Sequence, residues 1–243
     1  MAFMTICPAN TPPATSSLRV ASYNIRKAVG LDWRRDSTRI LRVLAEMNAD
    51  IVVLQEADKR LGPRPGVLPT GVLLDELGYE FADFDPEAPS HGWHGNAILF
   101  RKSRFNLVQN RKVSLPTLEP RGAVSAIFET PKFEVIGVHL GLTPNTRKKQ
   151  LRRLAEHVGE TDYPVLIAGD FNSAIANAQI ETLFGNRVQA VKPGPSFHAS
   201  RPFAALDRFV LANFTGKMAS FVHRSDLTRF ASDHLPVVID VDF

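Results

Sequence analysis

Two segments of the chain have the apolar spacing of an amphipathic helix. In residues 36–48 and 145–158, apolar side chains recur at intervals of three and four residues, which places them on one helical face. Asp36 or Ser37 is a suitable N-cap for the first helix. Shorter helices are predicted near residues 72–77 and 177–184. The predicted buried positions of the two long helices are Ile40, Leu41, Val43, Leu44 and Met47, and Leu151, Leu154, Ala155 and Val158.

Short apolar runs between these helices predict β-strands. Residues 50–56 (DIVVLQE) and 164–168 (PVLIA) are apolar almost throughout, as expected for strands buried on both faces. Residues 130–132 (TPK) predict a hairpin turn between two other strands. Hairpins mixed with separated helices indicate an α/β (α+β) fold in which sheet packs on sheet with helices outside. The remaining predicted strands are residues 18–25, 96–100, 105–113, 123–129, 133–140, 206–211 and 236–241.

Composition and charge narrow the class of protein. The chain has 243 residues, 44% of them hydrophobic, and a single cysteine, Cys7, which leaves no intramolecular disulfide to form. We therefore expect a reducing, cytoplasmic compartment. No apolar run approaches the roughly 20 residues that span a bilayer, and the first residues lack the pattern of a secretory signal. The net charge of +4 mildly favours an anionic substrate.

The apolar patterning also divides the chain into two parts. Residues 1–17 are rich in Pro, Thr, Ser and Ala and have no regular spacing, so we expect a flexible tail. Residues 18–243 contain neither a repeat nor a linker and predict a single domain. We expect this domain to be a monomer.

Polar and acidic side chains stand where the apolar runs end, which is where an enzyme with this architecture places its site. In an extended chain, residues i and i+2 point the same way, so Asp170 and Asn172 are expected to share a face, with Phe171 turned toward apolar packing. Gly169 permits a tight turn before them. The whole set comprises Asn24, Glu56, His139, Asp170, Asn172, Asp207, Asp233 and His234.

Each of these positions also has a purely structural interpretation. Asp170 and Asn172 suit a turn closed by an Asx hydrogen bond. Glu56 suits an exposed strand end, and His139 suits a hydrogen-bonded core histidine. Asp207 suits an ion pair with its neighbour Arg208, and residues 232–234 suit a polar turn. Taken singly these interpretations are competitive, and the functional hypothesis depends on the set.

The ordered set of motifs resembles the endonuclease/exonuclease/phosphatase superfamily, and most closely its short bacterial members of undefined substrate. The superfamily includes pancreatic-type deoxyribonucleases, exonuclease III-like enzymes, inositol polyphosphate 5-phosphatases and neutral sphingomyelinases. The resemblance implies a four-layer α/β/β/α sandwich of two mixed sheets, deoxyribonuclease I-like, with the site at one edge of the sheets. The motifs are SYNI (22–25), QE (55–56), HGNAIL (94–99), RGA (121–123), VHLG (138–141), AGDFN (168–172), LDRFV (206–210) and SDH (232–234).

The resemblance also implies roles for individual residues. Glu56 looks like the principal ligand of a metal ion, with Asn24 beside it and Asp233 as a further acidic ligand. His234 looks like the histidine that faces the scissile phosphate, and Asp207 like the carboxylate that orients it. Asp170 is similar to the residue that positions or deprotonates the attacking water. Asn172 and His139 look like contacts to phosphate oxygens.

Other residues are weaker candidates for substrate binding. Arg121 suits a phosphate contact or, equally, an ion pair with Glu119. His94 and its neighbour Trp93 compete for a position that is often aromatic in relatives. Arg26 and Lys27 add positive charge after Asn24, and the basic residues of 147–153 suit either a polyanion or a solvated helix face. The loops 62–71 and 85–95 are the expected substrate-selecting segments.

These observations predict a divalent-metal-dependent phosphoesterase that cleaves a phosphodiester by in-line attack of water. Oxygen ligands suit Mg²⁺, with Mn²⁺ as a substitute, and the chain has no cysteine cluster and no HExxH sequence to suggest zinc. Nucleic acid, phospholipid and small phosphate esters remain open as substrates. The alternative is a catalytically inactive module that binds phosphate or nucleic acid on the same fold.

Overall fold

The computed structural model describes residues 17–59, 62–117 and 121–243. The predicted tail, except for Ser17, lies outside the described residues. The strands of the described part are β1 (Ser17–Asn24), β2 (Ile51–Gln55), β3 (Tyr79–Phe81), β4 (Ala97–Arg101), β5 (Asn106–Val113), β6 (Ala123–Glu129), β7 (Phe133–His139), β8 (Val165–Asp170), β9 (Val188–Val191), β10 (Asp207–Ala212), β11 (Met218–Val222) and β12 (Val237–Asp242).

These strands form two six-stranded sheets with the same pattern of pairing. The first sheet has the order β11-β12-β1-β2-β4-β3, and the second has the order β5-β6-β7-β8-β10-β9. In each sheet the two central strands, β1 and β2 or β7 and β8, are parallel, and every other neighbouring pair is antiparallel. Each parallel pair needs a crossover connection, which a helix provides.

The helices lie on the outer faces of the two sheets. They are α1 (Ser37–Met47), α2 (Thr70–Leu77), α3 (Pro144–Gly159), α4 (Asn177–Phe184) and α5 (Thr228–Ala231). One buried cluster fills the space between the sheets, a second joins the first sheet to α1 and α2, and a third joins the second sheet to α3 and α4. The four-layer α/β/β/α sandwich is therefore confirmed.

The two long helices begin where their sequences predict. The Asp36 side chain accepts a hydrogen bond from the backbone N–H of Arg39, and α1 ends at Asn48, which has a left-handed φ of 45°. The Thr143 side chain caps α3 in the same way by accepting from the N–H of Thr146, and Pro144 follows it at the first helical position. These caps satisfy backbone groups that the first turn of a helix leaves without partners.

Strand pairing brings the ends of six strands to one edge of the sandwich. Asn24 pairs with Gln55 where β1 and β2 end, and His139 pairs with Asp170 where β7 and β8 end. Asp207, the first residue of β10, is also opposite Asp170. β12 starts at the same edge, next to the end of β1. We call this edge, which contains all the strand-end candidates, the site edge.

Three strands have no counterpart among the predicted elements: β3, β9 and β11. All three are short edge strands of their sheets. Their side chains are mixed in polarity and mostly only partly buried. The hairpin at residues 130–132 is confirmed, because β6 and β7 pair antiparallel across it. Within the described ranges, every helix is too short or too polar to cross a bilayer.

Candidate active site

Asp170 lies at the centre of the site edge and is almost completely buried. Its Oδ2 atom accepts a hydrogen bond of 3.2 Å from Nδ2 of Asn24, and lies 3.5 Å from Nε2 of His139 and 3.7 Å from Nε2 of His234. The two sheets contribute to this cluster together, since Asn24 ends β1 and His139 ends β7. One carboxylate oxygen therefore faces three nitrogen atoms from three different segments.

His234 is held by a buried chain of hydrogen bonds. Its Nδ1 atom lies 2.9 Å from Oδ2 of Asp207, and Ser196 Oγ donates to the same carboxylate oxygen at 2.5 Å. Because Asp207 accepts at Nδ1, that nitrogen has the proton, and Nε2 is directed toward Asp170. The predicted pairing of His234 with Asp207 is present in the structure. The alternative ion pair between Asp207 and Arg208 is absent, since Arg208 donates to Asn177 Oδ1 and Ser173 O.

The two histidines differ in protonation. Burial lowers the pKa of His234, but the charge and hydrogen bond of Asp207 and the charge of Asp170 outweigh burial and raise the pKa to about 9. Burial also lowers the pKa of His139, and here it dominates, so that the pKa of His139 is about 4 despite the nearby Asp170. At neutral pH the site therefore holds one imidazolium, His234, beside one neutral imidazole, His139.

The chain after Asp170 departs from the extended conformation that the sequence suggested. Asn172 has a left-handed φ of 49°, and its backbone N–H donates to Asp170 Oδ1 at 2.8 Å, which is the Asx turn considered as an alternative. The Asn172 side chain donates to Leu140 O at 2.9 Å. The extended geometry proposed for Asn172 is thus wrong, although Phe171 is buried against the outer core as expected. The turn arises because it satisfies the Asp170 carboxylate locally.

Gly169 has a different role from the one its sequence position suggested. It lies inside β8, and a Cβ atom at this position would be 1.9 Å from Val138 O on the neighbouring strand. The glycine therefore permits the close approach of β7 and β8 at Val138, next to His139 and Asp170, and the turn itself begins one residue later, at Asp170.

The three predicted metal ligands lie at the same edge of the sheets as Asp170. Asn24 ends β1 and is paired with Gln55, the last residue of β2, and Glu56 comes directly after Gln55. Ser232 Oγ donates to Asn24 O at 2.7 Å, which places Asp233 at the same edge. Glu56 is in contact with the ammonium of Lys27, and Asp233 Oδ2 lies 3.5 Å from Nε of Arg26. Both carboxylates are partly exposed and open to water.

This arrangement fits a hard divalent cation on the chemistry of its donors. All three side chains offer oxygen, and one or two carboxylates with remaining waters are sufficient for Mg²⁺. Lys27 and Arg26 show that this part of the edge attracts positive charge. Glu56 also has a left-handed φ of 53°, a conformation that is uncommon for non-glycine residues and that recurs at active sites as well as in turns.

A second group of potential metal ligands consists of the hydrogen-bonded residues around His234. Asp170, Asp207 and His234 offer atoms that all lie within 4.8 Å of one another. The Asp207 oxygen nearest His234 already accepts from two donors, however, and Nδ1 of His234 has a proton directed at it. We therefore interpret this group as a hydrogen-bonded relay, and Asn24, Glu56 and Asp233 stay the metal ligands expected from the sequence.

The two predicted substrate-binding residues are more peripheral. Arg121 Nη1 donates to Leu140 O at 2.8 Å, the carbonyl that also accepts from Asn172, so Arg121 reaches the site edge. Its suggested partner Glu119 lies outside the described residues. His94 Nδ1 lies 3.0 Å from Arg64 Nη1, and its ring is tilted by 42° against the Trp93 ring, with the two centroids 4.3 Å apart. Among the described residues, His94 makes no hydrogen bond, ion pair or ring contact with the other nine predicted site residues.

Two residues of the site were missed at the sequence level. Ser196 is fully buried and donates to Asp207, and the Phe197 ring lies 5.0 Å from the ring of His234. Both residues lie in an irregular segment that has neither helical nor strand periodicity. The only signal is that the segment precedes LDRFV, which was not enough to identify a hydrogen-bond donor.

The chain and its fold match a known protein family. The model of the endonuclease/exonuclease/phosphatase family matches residues 21–236, which include every predicted site residue. The chain belongs to this family. Endonuclease/exonuclease/phosphatase proteins are known for metal-dependent phosphodiesterase and nuclease activity.

Individual relatives of this family member are distant. Protein angel of Drosophila melanogaster is 28% identical over an alignment of 212 residues. The match covers 72% of this chain and 57% of the relative, so the chain spans little more than half of that protein. An endonuclease/exonuclease/phosphatase from Beutenbergia cavernae is similar in structure, with a TM-score of 0.71, 24% identity, and coverage of 94% of this chain and 72% of the other. D. rerio TDP2 complexed with a single-strand DNA product has a TM-score of 0.71 and 21% identity over 94% of this chain and 100% of that chain.

Proposed function

We propose that this family member is a divalent-metal-dependent phosphodiesterase that cleaves its substrate by in-line attack of water. The observation that supports this most is the geometry around Asp170: a buried carboxylate that faces a neutral histidine, an amide and an imidazolium fixed by Asp207. A binding module with no chemistry to perform would not need a proton-bearing relay beside a set of oxygen ligands.

In this proposal Asp170 is the acceptor for the attacking water. Its Oδ1 is held by the N–H of Asn172, and its Oδ2 is aimed at the interior of the site by Asn24. A water that donates to Oδ2 is thereby oriented toward a phosphorus atom bound beside it. Asp170 accepts the proton as the new P–O bond forms.

His234 supplies positive charge where negative charge develops. With a pKa raised to about 9, the imidazolium donates from Nε2 to a non-bridging phosphate oxygen or to the departing oxygen. Asp207 and Ser196 hold the ring so that no reorientation is needed during the reaction. His139, neutral at this pH, and Asn172 add hydrogen-bonding groups for the remaining phosphate oxygens.

Asn24, Glu56 and Asp233 would hold the metal ion. When bound, a divalent ion neutralises charge on the phosphate oxygens and helps to align the water with the leaving group. Lys27 contacts Glu56 and Arg26 contacts Asp233, and these contacts orient the two carboxylates toward the ion. The two cations also attract the phosphate. Mg²⁺ is the proposed ion, and Mn²⁺ is the expected substitute.

The decisive assay is hydrolysis of bis-(p-nitrophenyl) phosphate and p-nitrophenyl phosphate with Mg²⁺, with Mn²⁺ and with EDTA. We expect cleavage of the diester that EDTA abolishes. We expect His234→Ala and Asp170→Asn each to lower kcat by at least ~100-fold, the lower range for a positioned acid–base or charge-stabilising group.

Matched controls separate chemistry from folding. His157 contacts Glu134 at the start of β7 and Asp240 pairs with Arg19 near the start of β1, both at the strand ends opposite the site edge. His157→Ala and Asp240→Asn should therefore keep full kcat. Folded His234→Ala or Asp170→Asn protein with wild-type turnover would refute the assigned roles, and a wild-type protein inert toward diesters, plasmid DNA, RNA and phospholipid would favour the binding module.

A further inference from the structure

Two large aromatic rings are exposed next to the site although nothing in the fold requires them there. The side chain of Trp33 is 78% exposed and that of Phe203 is 74% exposed, the highest values among the exposed large apolar residues of the described chain. Both lie in loops at the site edge: Trp33 is in the segment between β1 and α1, and Phe203 is in the segment before β10. Exposed aromatic rings beside a site are typical of ligand contacts.

The backbone holds Trp33 rigidly in this outward position. Gly30 N–H donates to Arg34 O and Trp33 N–H donates to Gly30 O, each at 3.0 Å, and together they close a tight turn. Asp32 within the turn is bonded to Arg39 of α1 at 3.0 Å. Trp33 has a φ of 59°, a left-handed conformation that is rare and strained for a bulky side chain. The turn therefore holds the ring outward at a cost in backbone strain.

Trp33 is connected to the proposed metal ligands through a single side chain. The guanidinium of Arg26 stacks over the Trp33 ring at 4.6 Å, and Nε of the same Arg26 lies 3.5 Å from Asp233 Oδ2. One face of the indole is therefore in contact with a cation, and a base can stack only on the other face. The remainder of the ring is exposed to solvent.

Phe203 has a comparable connection to His234. The Phe197 ring lies 5.9 Å from the Phe203 ring and 5.0 Å from the His234 ring. Phe203 N–H also donates to Phe197 O at 2.8 Å, which fixes the loop. Arg26 thus links Trp33 to Asp233, and Phe197 links Phe203 to His234. Asp233 and His234 are adjacent in the sequence.

The charges around these rings favour a nucleobase over a lipid tail. Trp33 is flanked in sequence by Asp32, Arg34 and Arg35, all exposed, and Arg201 is exposed two residues before Phe203. Insertion into a bilayer would remove these charges from water at high cost. Single-stranded nucleic acid suits both the exposed rings and the exposed arginines, because its bases stack on aromatic rings and its phosphates attract cations.

We propose that the substrate is single-stranded nucleic acid and that Trp33 stacks on the unpaired base next to the scissile phosphodiester. Phe203 stacks on a second base of the same strand. The proposal rests on the proposed function, because it places the strand across the same site, and it makes Trp33 and Phe203 the residues that distinguish a nucleic acid from other phosphodiesters.

Binding without turnover tests the proposal. In EDTA, the affinity for a fluorescein-labelled oligothymidylate is measured by anisotropy beside an oligomer of equal length that has the sugar-phosphate backbone but no bases. We expect Trp33→Ala to weaken binding of the oligothymidylate about tenfold, as for loss of one stacked base, and to leave binding of the abasic oligomer within twofold. Trp33→Phe should restore most of the loss. Equal weakening for both oligomers, or for neither, would overturn the assignment.

A second measurement reports on Trp33 directly. The chain has two tryptophans, so in Trp93→Phe protein the emission comes from Trp33 and should be quenched by the oligothymidylate and not by the abasic oligomer. Val108→Ala is the control, since Val108 is 44% exposed on β5 near the Phe128 end of the sheet, away from the site edge. If phosphatidylcholine–phosphatidylserine vesicles shift the Trp33 emission and the oligothymidylate does not, the rings serve a lipid surface instead.

The proposed phosphodiesterase activity and the proposed stacking role of Trp33 can be refuted independently. Metal-dependent cleavage of bis-(p-nitrophenyl) phosphate with base-independent oligonucleotide binding would refute only the stacking role. Base-dependent binding that Trp33→Ala abolishes, with no diesterase activity on any substrate, would refute the phosphodiesterase and leave the stacking surface in place.

Discussion

Replacing Asp207 by asparagine isolates the electrostatic part of the relay. Asparagine has nearly the same shape, and its carbonyl oxygen can still accept from Nδ1–H of His234, whereas the charge 2.9 Å away is removed. The remaining environment is burial, which lowers the pKa of His234, and the more distant Asp170 and Asp233, which raise it. We therefore expect the pKa of His234 in Asp207→Asn to lose most of its rise above 6.5.

The magnitude follows from the pKa itself. A rise from 6.5 to about 9 corresponds to about 3 kcal/mol, at about 1.4 kcal/mol for each pKa unit. A histidine with a raised folded-state pKa stabilises the protein fully below its unfolded-state pKa, and this contribution is lost as pH rises through the folded-state value. The wild type should thus lose about 3 kcal/mol of His234-linked stability between pH 6.5 and 9.

Urea unfolding in EDTA measures this contribution without a bound cation. The free energy of unfolding is determined for the wild type and Asp207→Asn at several pH values across the window, so that titrations common to both proteins cancel in the difference. The wild type should become less stable relative to the variant as pH rises. An NMR titration of the His234 ring gives the pKa independently. Parallel stability curves, or an unchanged His234 pKa in the variant, would refute the relay described here.

Two further substitutions test the framework that positions the site. Gly169→Ala places a Cβ atom 1.9 Å from Val138 O, so β7 and β8 must separate; we expect at least ~3 kcal/mol of lost stability by chemical denaturation, comparable to a severe packing defect, with a loss of kcat as well. Unaltered stability would show that the strands are not in this register. Asp36→Ala removes the N-cap of α1 and should cost about 1 kcal/mol with kcat unchanged. A larger loss, or reduced turnover, would mean that Asp36 also positions the site.

Those parts of the fold that have strong apolar periodicity were predictable from the sequence. The stripe in α1 and the continuous apolar runs of β2 and β8 identify buried elements, because burial on one helical face or on both faces of a strand leaves a direct compositional signal. The marginal strands β3, β9 and β11 have no such signal. Each is short and partly exposed, and each is a strand because a longer neighbour supplies its hydrogen-bond partners.

The site was predictable only in part, for a related reason. Asp170 and His139 could be assigned to one edge, since parallel strands end together, but the left-handed turn at Asn172 depends on the local bond to Asp170 Oδ1 and not on strand alternation. The buried donor Ser196 comes from an irregular loop, where no periodicity indicates which side chain faces inward. The opposite protonation of His139 and His234 depends on burial and on the distances to Asp170 and Asp207, which only the tertiary structure provides.

The pairing of β12 with β1 has a consequence for how the protein is made. Ser17 is opposite Asp242, so the first strand of the described residues pairs with a strand more than two hundred positions later. While the polypeptide is being synthesised, β1 can pair with β2 but keeps an open edge, and Asp233 and His234 arrive only as synthesis nears β12. The second sheet contains residues 106–212 and can form earlier without this delay. Until β12 pairs, the nascent chain therefore lacks the two site candidates Asp233 and His234, and the open edge of β1 is a template for pairing with other chains.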